Sequence, residues 1–177
     1  MTGVQTCALP IWEARVDHAY YAFNDVSAMM AFVGAGRGDA QARLVAAARR
    51  AAAGQGTNAM MSREIGVPAC EAFAAFGRGD HARTIELLMP LRGKANRMGG
   101  SHAQRDMFLW TLTEAALRGG NRAMADAFVA ERLSWKSTSP INRAWAVRAG
   151  KLGRTGLDQA CIPRDLQGPA PVIGGLI

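Results

Sequence analysis

Three neighbouring side chains carry groups that enzymes and binding proteins use. His102, Arg105 and Asp106 supply an imidazole, a guanidinium and a carboxylate. If this stretch is helical, His102 and Asp106 share one face, where they could coordinate a metal ion or relay a proton. More often such a pair is a surface contact that contributes roughly 0.2–0.5 kcal/mol. The three residues therefore indicate either part of a site or a polar surface.

The cysteines and glycines show no pattern typical of a metal or nucleotide site. Cys7, Cys70 and Cys161 lack metal-binding spacing, and their odd number and wide separation argue against a disulfide framework. They indicate a reducing compartment, and hence a cytoplasmic location. Cys70 lies among alanines, which predicts a buried structural thiol. The glycine-rich residues 34–38 follow no strand pattern and precede no Lys-Ser/Thr pair, so we expect no cofactor and no metal.

A glycine turn recurs along the chain. Gly-Arg-Gly-Asp occupies residues 36–39 and again 77–80, and Arg-Gly-Gly-Asn at residues 118–121 is a looser copy. The central glycines 38, 79 and 120 are 41 residues apart in both intervals (79 − 38 and 120 − 79). A fixed period of this size is typical of a helical repeat array. A glycine followed by a helix-capping residue is also what an inter-helix turn needs, so we interpret the Arg-Gly-Asp triplets as turns and not as adhesion motifs.

The runs between these turns predict an all-α fold. Apolar residues make up 49% of the chain, alanine-rich runs favour helix, and aromatic residues are few. Asn24 and Asp39 are predicted to cap the first two helices, and Ser101 with Gln104 has the spacing of a capping box. The helical repeat domain is expected over residues 12–152, with units at about residues 24–56, 57–98 and 101–135 and a final helix at residues 140–152.

Both ends of the chain have unusual composition. Residues 1–11 match the translation of a sequencing-adapter oligonucleotide, so we expect them to pack against nothing essential and the chain to be a piece of a longer protein. Residues 153–177 have loop composition and are expected to form a poorly ordered tail. No apolar run approaches the ~20 residues of a membrane span, and we expect no membrane partner.

Three segments resemble a known family. Residues 23–32, residues 99–106 (Gly-Gly-Ser-His-Ala-Gln-Arg-Asp), and Glu131-Arg132 followed by Lys136 and Ser139-Pro140 are similar to the tetratricopeptide repeat protein 38 family. The resemblance covers about residues 24–150. It implies a short right-handed solenoid of tetratricopeptide-like helical hairpins, with no established enzymatic activity and no catalytic residues. The period of 41 residues departs from the ~34 residues of a standard tetratricopeptide unit.

The leading functional hypothesis is a non-catalytic scaffold that binds a protein or peptide partner. Stacked helical hairpins leave an extended groove, usually lined by the first helix of each pair. The candidate partner-binding residues are therefore Asn24 and Asp25 in the first unit, and His102, Arg105 and Asp106 in the third. Because the third unit presents a helix N-terminus there, we expect an acidic or carboxylate-bearing segment.

Two other classes of function stay open. The complete protein could be an enzyme whose active site needs a missing N-terminal region, with His102, Arg105 and Asp106 as local contributors. The formal net charge of +7 also allows a nucleic-acid binder, although the basic residues are scattered. Clustering of arginines on one surface would favour that alternative, and the arginines concerned are Arg43, Arg49, Arg92, Arg97 and Arg143.

Overall fold

The protein is all-helical over residues 9–152, the part of the chain that its computed structural model describes. After a short helical segment at residues 9–13, the helices are α1 (Ala22–Gly34), α2 (Gly38–Ala52), α3 (Gly56–Met61), α4 (Val67–Gly77), α5 (His81–Leu88), α6 (His102–Arg105), α7 (Met107–Arg118), α8 (Arg122–Trp135) and α9 (Pro140–Gly150). No strand occurs among the described residues, which confirms the predicted all-α class. The predicted tail at residues 153–177 lies outside them.

The predicted turns join helices into antiparallel pairs, and one of the turns lies two residues before its predicted position. A left-handed glycine ends each first helix, and the N–H of the next residue bonds to the carbonyl five residues back, as in a Schellman turn. These glycines, with their φ angles, are Gly36 (67°), Gly79 (79°) and Gly120 (70°). The first turn is therefore centred on Gly36 and not on Gly38, and the two intervals are 43 and 41 residues (79 − 36 and 120 − 79).

The predicted helix cap of the third unit is formed, whereas the two caps predicted in the first unit are not. Ser101 and Gln104 form the predicted capping box, with bonds of 3.2 and 2.8 Å. Asn24 caps nothing, because α1 begins after Tyr21, and Ala22 is buried against Gly66. Asp39 likewise lies inside the first turn of α2, because the turn closes at Gly36 and leaves Arg37 at the cap position.

The helical run of the second unit contains a local irregularity. A π-helical turn at Ser62–Gly66 joins α3 to α4, and Pro68 stands in the first turn of α4. Proline is tolerated there because the first-turn N–H has no partner within the helix. The helical run of the second unit is thus interrupted at Ser62–Gly66. Two 3-10 turns, Met89–Leu91 and Ala95–Met98, then form the connector between α5 and α6.

Each helical pair packs on its neighbour in the chain. The main inter-pair contacts join α1 to α4 and α5 to α7, and α9 packs against α8. One apolar core runs from Val16 to Ala149. Leu9 packs against this core, whereas the expectation that residues 1–11 contact nothing essential stays a prediction. Met29 is buried in α1, whereas the adjacent Met30 is 39% exposed.

The length and hydropathy of the helices decide whether any of them could cross a bilayer. None of the helices within residues 9–152 combines the length and the apolar character that crossing a bilayer requires. Their buried faces are instead used against one another, as the continuous core shows.

Candidate functional site

The predicted partner-binding residues lie in two separate places. His102, Arg105 and Asp106 line a groove of about 810 Å³ in the third unit. Asn24 and Asp25 line a smaller cavity of about 170 Å³ at the start of α1. The structure therefore does not bring the two sets together into one continuous surface.

The groove in the third unit, called the α7 groove below, has walls from three parts of the chain. Phe108 and Leu109 of α7 line it together with α6, while Asn96 of the connector and Trp135 and Lys136 at the end of α8 line its sides. Phe108 and Leu109 are buried, whereas the other three residues are exposed. The result is an apolar floor with a polar and aromatic rim.

Asp106 already has a full set of partners. Its two carboxylate oxygens accept hydrogen bonds from the two terminal nitrogens of Arg132 at 2.7 and 2.9 Å. The indole N–H of Trp110 donates to the same carboxylate at 2.9 Å. Such a bidentate pair leaves little capacity for a metal or for proton transfer. Among residues 9–152, no three His, Cys, Asp or Glu side chains lie close enough together to hold a metal ion.

Arg105 also has a structural role that sequence reasoning did not anticipate. Its guanidinium donates to the backbone carbonyl of Gly99 at 3.3 Å and to that of Gly100. A Cβ at Gly99 would collide with the hydroxyl of Tyr21, and one at Gly100 would lie 2.7 Å from the Phe23 ring. The end of the connector is thus held between Arg105 and the start of α1.

Arg132 is a central residue that the sequence analysis did not select as a site residue. It is only 7% exposed, and its guanidinium lies over the rings of Trp110 and Trp145 at 5.3 and 5.0 Å. Its Nε donates to Asn142 at 3.1 Å. The signal was its position: it follows Phe128 by four residues, and so falls on the apolar stripe of α8. A charge on such a stripe indicates a buried partner.

Glu114 extends this network to α9. It accepts from the Trp145 indole N–H at 2.7 Å and from the guanidinium groups of Arg148 and Arg118. Burial on its own would raise the pKa of Glu114, but hydrogen bonds from Arg148, Trp145 and Arg118 outweigh it and lower that pKa to about 2. The carboxylate therefore stays ionised and ties α7 to α9.

Among the remaining ionisable side chains of the α7 groove, the acidic one is paired and the exposed ones are basic. Glu131 pairs with Arg92, so its charge is compensated. His102 and Lys136 are exposed, and Lys136 enters no ion pair within residues 9–152. Trp135 is 66% exposed beside them. The groove can therefore accept an anionic group next to an apolar or aromatic one.

The arginines whose clustering would favour nucleic-acid binding all have partners within the chain. Four of them pair with carboxylates, and Arg143 donates to the carbonyl of Ser137 at 3.0 Å. The four pairs are Arg43–Asp17, Arg49–Glu71, Arg92–Glu131 and Arg97–Glu64. A phosphate backbone would have to compete with these carboxylates. All five arginines are thus engaged by groups of the chain itself.

Two comparisons with known proteins bear on the family. No family model matches the chain, and no solved structure matches it. The resemblance to the tetratricopeptide repeat protein 38 family therefore stays a prediction. The function of the chain has to be inferred from the chemistry of the groove and the cavity themselves.

Proposed function

We propose that this chain is a non-catalytic helical-repeat module that binds an acidic segment of a partner protein in the α7 groove. The common glycine turn and the packing of each pair on the next support a short solenoid of tetratricopeptide-like hairpins. Membership of the tetratricopeptide repeat protein 38 family is part of the same proposal and rests on the resemblance of residues 23–32 and 99–106. The proposal places the partner on the third unit, at the groove around His102 and Arg105.

The observation that carries the proposal is the charge of the groove. Both carboxylates that line it, Asp106 and Glu131, are neutralised by arginines. His102 and Lys136 stay exposed at its rim, so an anionic segment meets donors without competing carboxylates. Electrostatic complementarity of this kind gives specificity and a fast association rate more than high affinity.

The exposed Trp135 adds a second requirement. An exposed indole beside charged donors is a common anchor in peptide recognition, since it offers a large apolar area at low entropic cost. The segment should therefore carry an apolar or aromatic side chain next to its acidic residues. A purely acidic peptide would use the rim charges but leave the indole exposed to solvent.

Binding of matched synthetic peptides tests this function. Short peptides that contain glutamates flanking a leucine or a phenylalanine are compared, by fluorescence anisotropy, with the same peptides carrying glutamine. We expect only the acidic peptides to bind, with an affinity that falls as salt rises, because rim charges are screened over a distance of about 8–10 Å. Lys136→Ala combined with His102→Ala should weaken binding about tenfold, which corresponds to about 1.4 kcal/mol.

Two controls make the peptide experiment specific. Arg50→Ala removes an exposed charge from α2, away from the groove, and should leave binding unchanged. Trp135→Ala should weaken binding of the phenylalanine peptide more than binding of the leucine peptide. Equal binding of glutamate and glutamine peptides, or undiminished binding by the Lys136 and His102 double variant, would refute the proposal.

A further inference from the structure

The cavity at the start of α1 is closed on its inner side by apolar residues and one carboxyl group. Its volume is about 170 Å³, and Val16, Ala28 and Leu44 in its lining are all buried. Asp25 lies among them and is only 6% exposed. An engineered apolar cavity of about 150 Å³ accepts benzene, so this space suits a ligand of that size.

Asp25 is the one carboxyl group within residues 9–152 that has no partner there. Its Oδ2 atom is buried and receives no hydrogen bond. All the other Asp and Glu side chains of the described chain, apart from Asp80, form ion pairs. Asp80 accepts from the Arg83 N–H as a helix cap. A buried polar group without a partner is costly, and Asp25 is one of the residues that line the cavity.

The surroundings of Asp25 do not compensate its charge. Burial alone raises the pKa of Asp25 to about 7, so no cation lies close enough to offset the loss of water. Its charge, after burial, helps to raise the pKa of the Cys70 thiol, which places that neutral group nearby. A ligand that brought a positive charge or strong donors to Asp25 would remove this penalty.

Basic and aromatic side chains also line the cavity. Arg15 and His18 line it and are exposed, so their basic groups lie towards solvent. Trp12 and Tyr21 line it as well and are partly buried. Aromatic rings beside a carboxylate are favourable neighbours for an ammonium group. The cavity therefore offers a buried carboxyl group, partly buried aromatic rings and an exposed basic rim.

We propose that this cavity is a binding site for a small zwitterion, with its ammonium group on the Asp25 carboxylate and its own carboxylate at the Arg15 and His18 rim. The two ends of the cavity complement the two ends of such a molecule. A simple amine would satisfy Asp25 but would meet the basic rim unfavourably, and a simple carboxylate would leave Asp25 unpaired. The site is separate from the α7 groove, and neither proposal depends on the other.

Three probes of equal carbon length test the site on the full chain. They are 4-aminobutyrate, butylamine and butyrate, each observed by saturation-transfer NMR and titrated calorimetrically. We expect 4-aminobutyrate to bind in the millimolar range, butylamine more weakly, and butyrate least. Asp25→Asn keeps the shape of the side chain and removes its charge, so it should weaken 4-aminobutyrate at least about tenfold. Asp39→Asn, in the first turn of α2, is the matched control and should leave the binding of 4-aminobutyrate unchanged.

A measurement on the unaltered chain covers the case in which a variant fails to fold. The carboxyl carbon of Asp25 is followed by NMR at one fixed pH while 4-aminobutyrate is added, and its chemical shift should move in parallel with binding. The proposal is overturned if none of the probes binds, if butyrate binds as well as 4-aminobutyrate, or if the Asp25 signal does not respond. Binding that Asp25→Asn leaves unchanged would also overturn it.

Discussion

At the scale of single residues, Arg132 links more parts of the third unit than any other side chain described above. Its guanidinium pairs with Asp106, bonds to Asn142 and lies between two tryptophan rings. The Asn142 amide returns bonds to the carbonyls of Arg132 and Lys136 at 3.0 and 3.1 Å. α7, α8 and α9 therefore meet at one buried charge with several hydrogen-bond partners, which is stabilising only while these partners are present.

Replacing Arg132 should show this dependence. Arg132→Ala leaves Asp106 and Asn142 without their partner, so we expect a loss of about 3 kcal/mol in the free energy of unfolding, measured in urea. Arg132→Lys keeps the charge but not the two-pronged geometry, and should recover only part of that loss. Arg83→Ala breaks an exposed pair with Glu86 and should have no measurable effect. A similar stability for Arg132→Ala and Arg83→Ala would contradict this role.

At the scale of the helices, the three turns are alike in geometry although their sequences differ. Gly36 has a φ of 67°, whereas Gly38, which occupies the position expected from the sequence repeat, lies inside α2 without a positive φ. Nothing lies within 4 Å of a Cβ added at either position. Backbone conformation is therefore the main difference between the two sites.

This pair of glycines gives a matched experiment. Gly36→Ala forces a left-handed conformation on a residue with a side chain and should destabilise the protein by about 1 kcal/mol. Gly38→Ala removes flexibility from a helix and should be neutral or slightly stabilising. Thermal and urea unfolding of the two variants are compared. If Gly38→Ala were the damaging change, the turn would be centred where the 41-residue period first placed it.

How far the sequence predicts the structure depends on the range of the interactions. The turns and the capping box at Ser101 follow from residues a few positions apart, and they were predictable. The start of α1 was not, because Ala22 is drawn into the helix by its packing against Gly66 in another unit. The partners of Asp106 were equally hidden, since Arg132 lies 26 residues away in sequence.

The candidate sites also combine features set by neighbouring residues with features set by long-range packing. The pattern at residues 102–106 located the α7 groove, but it could not indicate that Arg105 and Asp106 are occupied by structural contacts. The cavity at Asp25 depends on Trp12, Leu44 and α1 approaching one another, which no local pattern encodes. A burial-dependent property such as the pKa of Asp25 is accessible only once that packing is known.

At the scale of the whole molecule, two carboxyl groups make the free energy of unfolding depend on pH in opposite directions. Asp25 has a raised pKa, so its favourable contribution is complete below pH 3.8 and is lost as the pH rises to about 7. Glu114 has a lowered pKa, so its contribution is present above pH 4.5 and is lost as the pH falls towards 2. The two ranges overlap around pH 4, so stability should be greatest there and should decline on both sides.

Urea unfolding as a function of pH tests this profile. Asp25→Asn should abolish the decline in stability between about pH 4 and 7, a decline of at most about 4 kcal/mol at 1.36 kcal/mol per pKa unit. At pH 8 this variant should be more stable than the unaltered chain. Glu114→Gln should instead remove part of the decline in acid and leave the neutral range unaffected. Parallel curves for the unaltered chain and Asp25→Asn would show that the carboxyl group is solvated or paired.

The close approach of Gly99 to Tyr21 has a consequence for how the molecule assembles. Contacts within a hairpin join residues that are near in sequence, whereas this one joins residues 78 positions apart (99 − 21). Closing a longer loop costs more chain entropy and slows folding. We therefore expect the hairpins to form early and the connector to dock on Tyr21 late. The α7 groove, whose wall includes that connector, would then reach its final shape only in the last stage of folding.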